Sequence, residues 1–194
     1  MSSSIIYSYE SRNIEEQALA LADSQTRRKY ELFKIALRSG NYFSTDSLCA
    51  NALFESLINN PELKLLHNTM KRNFAVALQD EVQQALNALL SSEAEELASW
   101  KYYPEKYALY PSYLSKAMEL IGSKNKYYNT LLAKKIYFES YLTYKNVLLQ
   151  EKNNSVRDSL RQKLKADYLL ALRLDSSAAF IYKAIGELYF LNIP

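Results

Sequence analysis

Glycine is nearly missing from this chain: three residues in 194, with only four prolines beside it. An antiparallel β protein needs a turn residue about every 8–12 positions. The scarcity therefore argues against a hairpin-rich sheet and for helices joined by few breaks. Cysteine occurs once, as Cys49, and histidine once, as His67. A lone cysteine can form no intramolecular disulfide and no paired-cysteine metal site. A lone histidine leaves a Ser-His-Asp or Cys-His arrangement only one base to use. His67 lies between Leu66 and Asn68 with no GxSxG or Cys-His motif around it, and reads as an ordinary surface or boundary residue. Cys49, inside SLCANALF, reads as a small buried apolar residue.

The phosphate-binding and metal motifs are missing too. There is no GxxxxGK[ST] loop, no GxGxxG, no HExxH and no EF-hand loop. The acidic run Glu93 to Glu96 reads as a first helical turn favoured by the helix dipole, not as a metal site. The expectation is a protein that is not an enzyme, with no catalytic residue, no metal and no cofactor. No apolar run approaches the roughly 20 residues that span a bilayer. The start MSSSIIYSYESRN lacks the basic region and long apolar core of a signal peptide. The chain reads as a soluble, cytoplasmic protein with no membrane partner. Net charge is +3, from 24 basic and 21 acidic residues. That excess is too small to predict nucleic-acid binding.

What is present is apolar and periodic. Hydrophobic residues make up 48% of the chain, enough for a core. Asn13 with Glu16 forms a capping box for a helix from Ile14 to about Ser39, stopped by Gly40. Thr45 reads as the cap of a helix from about Asp46 to Ile58. Asn60 caps the next helix, with Pro61 at its first position, where proline costs least. That helix carries Leu66, Met70, Phe74, Leu78, Val82 and Leu86 at spacing four, then Leu89. Such a stripe faces one way for about seven turns. Ser92 with Glu95 starts a short helix through Trp100, and Pro104 and Pro111 start two segments, the second ending at Gly122. Later helices are expected at about Tyr127 to Gln150, Val156 to Leu174 and Ala178 to Leu191.

Tyrosine is sparse before Ser99 and dense after it. This suggests a long-helix hairpin region over 1–100 and Tyr-rich hairpins over 101–194. No Gly/Ser linker separates them, so they are expected to pack as one unit. Within ALRLDSSAAFIYKAIGELYF, Ala171 and Leu174 follow Tyr168 at spacing three, and share a face. Eleven residues after Ala171 comes Tyr182, then Ile185, Gly186 and Tyr189. Gly in a helix interior costs roughly 1 kcal/mol relative to Ala. Gly186 therefore reads as a place where another helix packs directly on the backbone.

These seven residues resemble the tetratricopeptide repeat (TPR), a helix-turn-helix unit of about 34 residues that stacks into a solenoid. Tyr168, Ala171 and Leu174 match its second helix; Tyr182, Ile185, Gly186 and Tyr189 match the next first helix. Ser176 stands where the family prefers Pro. A weaker earlier copy places Ala117 and Leu120 in a second helix, and Leu132 and Ala133 where the family has Leu-Gly. Ala117 to Ala171 spans 54 residues, more than one standard period. The resemblance covers about 104–194. It implies an all-α fold of antiparallel hairpins stacked as a TPR-like α-solenoid, joined to the N-terminal long-helix part. An irregular helical bundle is the other reading.

The resemblance further implies a concave partner-binding groove of Tyr127, Thr130, Lys134, Tyr137, Phe180, Lys183, Glu187 and Phe190. Lys134 and Lys183 are its only basic members, and the Asn partners of a carboxylate clamp are missing. The expected function is a non-enzymatic scaffold or sensor module that binds a peptide or partner helix on this Tyr/Phe surface. The alternative is a regulatory domain that binds nucleic acid or a nucleoprotein through Arg27, Arg28 and Lys29, Lys71 and Arg72, and Lys134 and Lys135. The last helix needs a cover for its other side. A fragment of a longer array is the expectation there, and docking, including on a second copy, the other.

Overall fold

The computed structural model describes residues 13–91, 104–143, 147, 148 and 150–190, the side chains of Pro104 and Phe190 excepted. All regular structure among them is helical. Helix α1 covers residues 13–21. It is followed by α2 (Ser24–Arg38), α3 (Ala50–Leu57), a 3-10 turn (Pro61–Leu66) and α4 (His67–Leu90). Then come α5 (Pro104–Ala108), α6 (Tyr110–Ile121), α7 (Tyr128–Thr143), α8 (Asn154–Leu174) and α9 (Ala179–Phe190). The chain divides into two compact units, Met1–Ala77 and Leu78–Pro194. The division falls inside α4.

The single first helix expected from the sequence is two. Asp23 is the N-cap of α2 and its carboxylate accepts the Thr26 amide at 2.7 Å. That bond holds the Asp23 carboxyl below its usual range and starts a new helix where apolar periodicity alone would run on. Gly40 (φ 72°) follows α2, and Gly122 (φ 77°) caps α6. Both positions need the left-handed backbone that glycine adopts without strain. Helix α3 begins at Ala50 with Cys49 at its N-cap, later than expected. Asp46 is used instead in a turn, accepting the Leu48 amide at 2.9 Å. Asn60 does cap the following segment, accepting the Glu62 amide at 2.9 Å, but the first six residues are 3-10 before α4 continues. The segment 92–100 lies outside the described residues.

The core of the first unit is aromatic. Phe33 meets Phe74 edge-on at 6.0 Å, and Phe54 lies 5.5 Å from Phe74. The predicted stripe is buried along its whole length, from Leu66 through Met70, Phe74, Leu78, Val82 and Leu86 to Leu89. Thr26, Asn60 and His67 finish one corner. Asn60 donates to the Thr26 hydroxyl at 3.0 Å, and His67 Nε2 lies 3.0 Å from the Asn60 carbonyl. A carbonyl only accepts, so Nε2 carries the proton. The lone histidine is spent on holding the 3-10 turn.

In the second unit α7 packs against α6 on one side and α8 on the other, and α9 packs on α8. Short connections, 122–127 and 175–178, join α6 to α7 and α8 to α9. The turn from α8 to α9 is made by Asp175, whose carboxylate accepts the Ser177 amide at 3.1 Å and its hydroxyl at 2.7 Å. This side-chain turn needs no proline beside it. The tyrosines form a ladder through the unit. Tyr107 meets Tyr110 at 5.5 Å, and Tyr110 meets Phe138 at 5.0 Å. Phe138 meets Tyr137 at 5.2 Å, and Tyr137 meets Tyr168 at 6.1 Å and Phe180 at 4.9 Å. Each such pair adds about 0.5–1.5 kcal/mol beyond its buried area. Much of the tyrosine enrichment after Ser99 thus serves packing.

Candidate functional site

Helix α9 has apolar residues on two sides, and the structure turns one of them inward. Phe180, Ile181, Ala184 and Leu188 are buried, at the spacing of a single helix face. Tyr182 and Tyr189 are 54% and 55% exposed. Gly186 is exposed between them, and a Cβ built on it meets nothing within 4 Å. This corrects two readings of the sequence. No helix packs on the Gly186 backbone, and Tyr182 and Tyr189 are not internal packing residues among the described residues. Tyr168 and Ala171 are buried as expected, whereas Leu174 and Ile185 are half-buried.

The residues assigned to an open groove divide as well. Tyr137 and Phe180 are only 3% and 6% exposed, in edge-on contact with each other. They are core. Lys134 donates to Gln83 Oε1 at 2.6 Å and Lys183 donates to the Leu89 carbonyl at 2.8 Å. Both lysines are thus committed to the C-terminal half of α4. Burial lowers the Lys134 ammonium below the ordinary lysine value, and Asp175 and Asp80 pull it partly back. Thr130 is half-buried, while Tyr127 is exposed with Lys126 Nζ 4.8 Å above its ring. Glu187 is exposed. The Phe190 side chain lies outside the described residues.

The open surface is the other side of the same hairpin. A small cleft of about 140 Å³ lies between α8 and α9, lined by Arg161, Gln162, Lys165, Ile185, Leu188 and Tyr189. Lys165 Nζ sits 5.0 Å from the Tyr189 ring centre, and Arg161 pairs with Asp158 at 3.4 Å. Arg157, Arg161 and Lys165 recur every four residues, a basic stripe of about 12 Å along α8. The Tyr182 hydroxyl donates to the Ser176 carbonyl at 3.2 Å, which fixes its ring while leaving it exposed. Sequence reasoning named Tyr182, Ile185, Gly186 and Tyr189 but gave them the wrong side. It missed Arg161 and Lys165, whose spacing to Arg157 was the available signal.

Of the basic clusters weighed for nucleic acid, Lys134 is committed to Gln83, and Lys135 pairs with Glu139 at 2.9 Å. Among the described residues, no group of three or more His, Cys, Asp or Glu side chains is placed to hold a metal ion. No described helix is long and apolar enough to cross a membrane. Comparison with family models, with curated proteins and with solved structures finds no match.

Proposed function

We propose that the chain is a non-enzymatic protein-interaction module, with its C-terminal hairpins stacked in a TPR-like manner, working in the reducing cytoplasm. The docking surface is the outer side of the α8–α9 hairpin, and not the inner aromatic side. One observation carries this reading: Tyr182, Gly186 and Tyr189 form an exposed face, open at the glycine, beside a basic stripe. A flat aromatic surface with a missing Cβ at its centre suits close approach by a partner helix. Tyrosines whose rings are already held lose little entropy on binding. Arg161 and Lys165 along one edge select acidic residues on that partner. The occupant is therefore an acidic amphipathic helix from another protein.

The test uses two labelled amphipathic peptides that differ only in Glu or Lys on their flanks, titrated by fluorescence anisotropy. The Glu peptide should bind and the Lys peptide should not. A Tyr182→Ala/Tyr189→Ala variant should bind the Glu peptide at least about tenfold more weakly, a loss of about 1.4 kcal/mol. An Arg161→Glu/Lys165→Glu variant should reverse the preference. Equal binding of both peptides, or no effect of either variant, would overturn the reading. So would a dimer of this chain that Tyr189→Ala dissolves, since the face would then be self-complementary. Tight binding of single-stranded DNA with steep salt dependence would favour the nucleic-acid alternative instead.

A further inference from the structure

A second cleft, of about 490 Å³, lies in the first unit between α1 and α2, with Asn73 of α4 at its edge. Its lining is Glu15, Glu16 and Leu19 from α1, and Tyr30, Lys34, Leu37 and Arg38 from α2. Each helix contributes at i and i+4, so the two facing stripes are set by helical periodicity. The volume lies in the range of small-molecule sites.

The polar groups divide into a fixed set and an open set. Lys34 ties the helices together, donating to Glu15 at 2.7 Å and to Glu31 at 3.3 Å. Its ammonium also lies 5.5 Å from the Tyr30 ring centre. That leaves one of its three protons undirected. Tyr30 is only 2% exposed, and it lines the cleft. Burial first, and the charges of Glu15 and Glu31 next, push the phenol well above its ordinary range, so the hydroxyl stays a neutral donor. Glu16, Arg38 and Asn73 are exposed at the same cleft, so their polar groups are open to a ligand.

The charges on that set are balanced. The Tyr30 hydroxyl, the free Lys34 proton and the Arg38 guanidinium are donors suited to a carboxylate. The Glu16 carboxylate suits an ammonium. Leu19 and Leu37 supply apolar surface to the same cleft. We propose that the α1–α2 cleft binds a small zwitterion, an α-amino acid with an aliphatic side chain. The carboxylate is held by Tyr30, Lys34 and Arg38, the amine by Glu16, and the side chain by the two leucines.

The test is calorimetric titration of the full chain with L-leucine, with 4-methylpentanoate, which lacks the amine, and with 3-methylbutylamine, which lacks the carboxylate. L-leucine should bind at one site, and each half-molecule at least about tenfold more weakly. Tyr30→Phe keeps the ring and removes only the hydroxyl; Arg38→Gln changes an exposed side chain. Each should fold normally by circular dichroism and weaken L-leucine by about tenfold. Methyl resonances of Leu19 and Leu37 should shift on addition of L-leucine. The proposal is overturned if none of the three compounds binds. It is equally overturned if either half-molecule matches L-leucine, or if both variants bind as the unaltered chain does.

Discussion

Lys183 Nζ donates to the Leu89 carbonyl at 2.8 Å, so a side chain on α9 closes the C-terminal end of α4. The last four carbonyls of a helix have no partner within it, and a cation there also meets the negative end of the helix dipole. Replacing Lys183 with Met keeps most of the apolar stem and removes the donor. The variant should lose about 1–2 kcal/mol of stability in urea unfolding. Amide exchange should quicken in the last turn of α4. An unchanged exchange pattern would show that the bond contributes nothing.

The two sides of α9 should respond differently to truncation. Phe180→Ala removes a buried ring in contact with Tyr137, and should cost about 3–5 kcal/mol. Tyr182→Ala removes a ring that is mostly exposed, and should cost well under half of that, about 1 kcal/mol or less. Chemical unfolding of both variants checks the assignment. Equal losses would contradict it.

Asn153 caps α8, accepting the Ser155 amide at 3.0 Å and the Val156 amide at 3.3 Å. Asn153→Ala should cost about 1 kcal/mol, and Asn153→Asp should be close to neutral. Thermal unfolding of the pair separates loss of the cap from a general effect of substitution.

Alkaline pH should destabilise the chain through two phenols. Burial is the main cause that raises Tyr30 and Tyr137 above the ordinary tyrosine value near 10. A raised folded value means that the stabilisation is complete below about pH 10 and is lost as pH rises beyond it, because the unfolded chain releases its protons first. Lys134 acts in the opposite direction. Its folded value is lowered, so between that value and about 10.4 the unfolded chain holds more protons and stability rises with pH. Urea midpoints from pH 8 to 11.5 should therefore fall mainly above about pH 10. The fall should be shallower in Tyr30→Phe and Tyr137→Phe, and should begin earlier in Lys134→Met.

The features legible in the sequence were those with one dominant physical signal. The α4 stripe is strictly periodic over seven turns, so its burial followed. Gly40 and Gly122 stand at helix ends, and both adopt positive φ. The break at Asp23 was missed because a capping carboxylate is a local signal set against a longer periodic one. The orientation of α9 was missed for a different reason. Phe180, Ala184 and Leu188 and the set Tyr182, Ile185, Gly186 and Tyr189 are both helical faces, and tyrosine is at home in core and surface alike. Periodicity cannot choose between two apolar faces; packing on α8 and the buried contact of Phe180 with Tyr137 decide it. The α1–α2 cleft left no sequence signal, because Glu15, Glu16, Lys34 and Arg38 read as ordinary charged positions until the hairpin brings them together.

The openness of the outer α9 surface is tested most directly by the thermal unfolding of Gly186→Leu. Gly186 has ordinary helical space around it, with nothing within 4 Å of an added Cβ, and glycine in a helix interior is less stable than leucine by up to about 1 kcal/mol. The account predicts a Tm that is unchanged or raised by a few degrees. A Tm lowered by several degrees would mean that a helix packs on that backbone after all, and the docking surface would be lost.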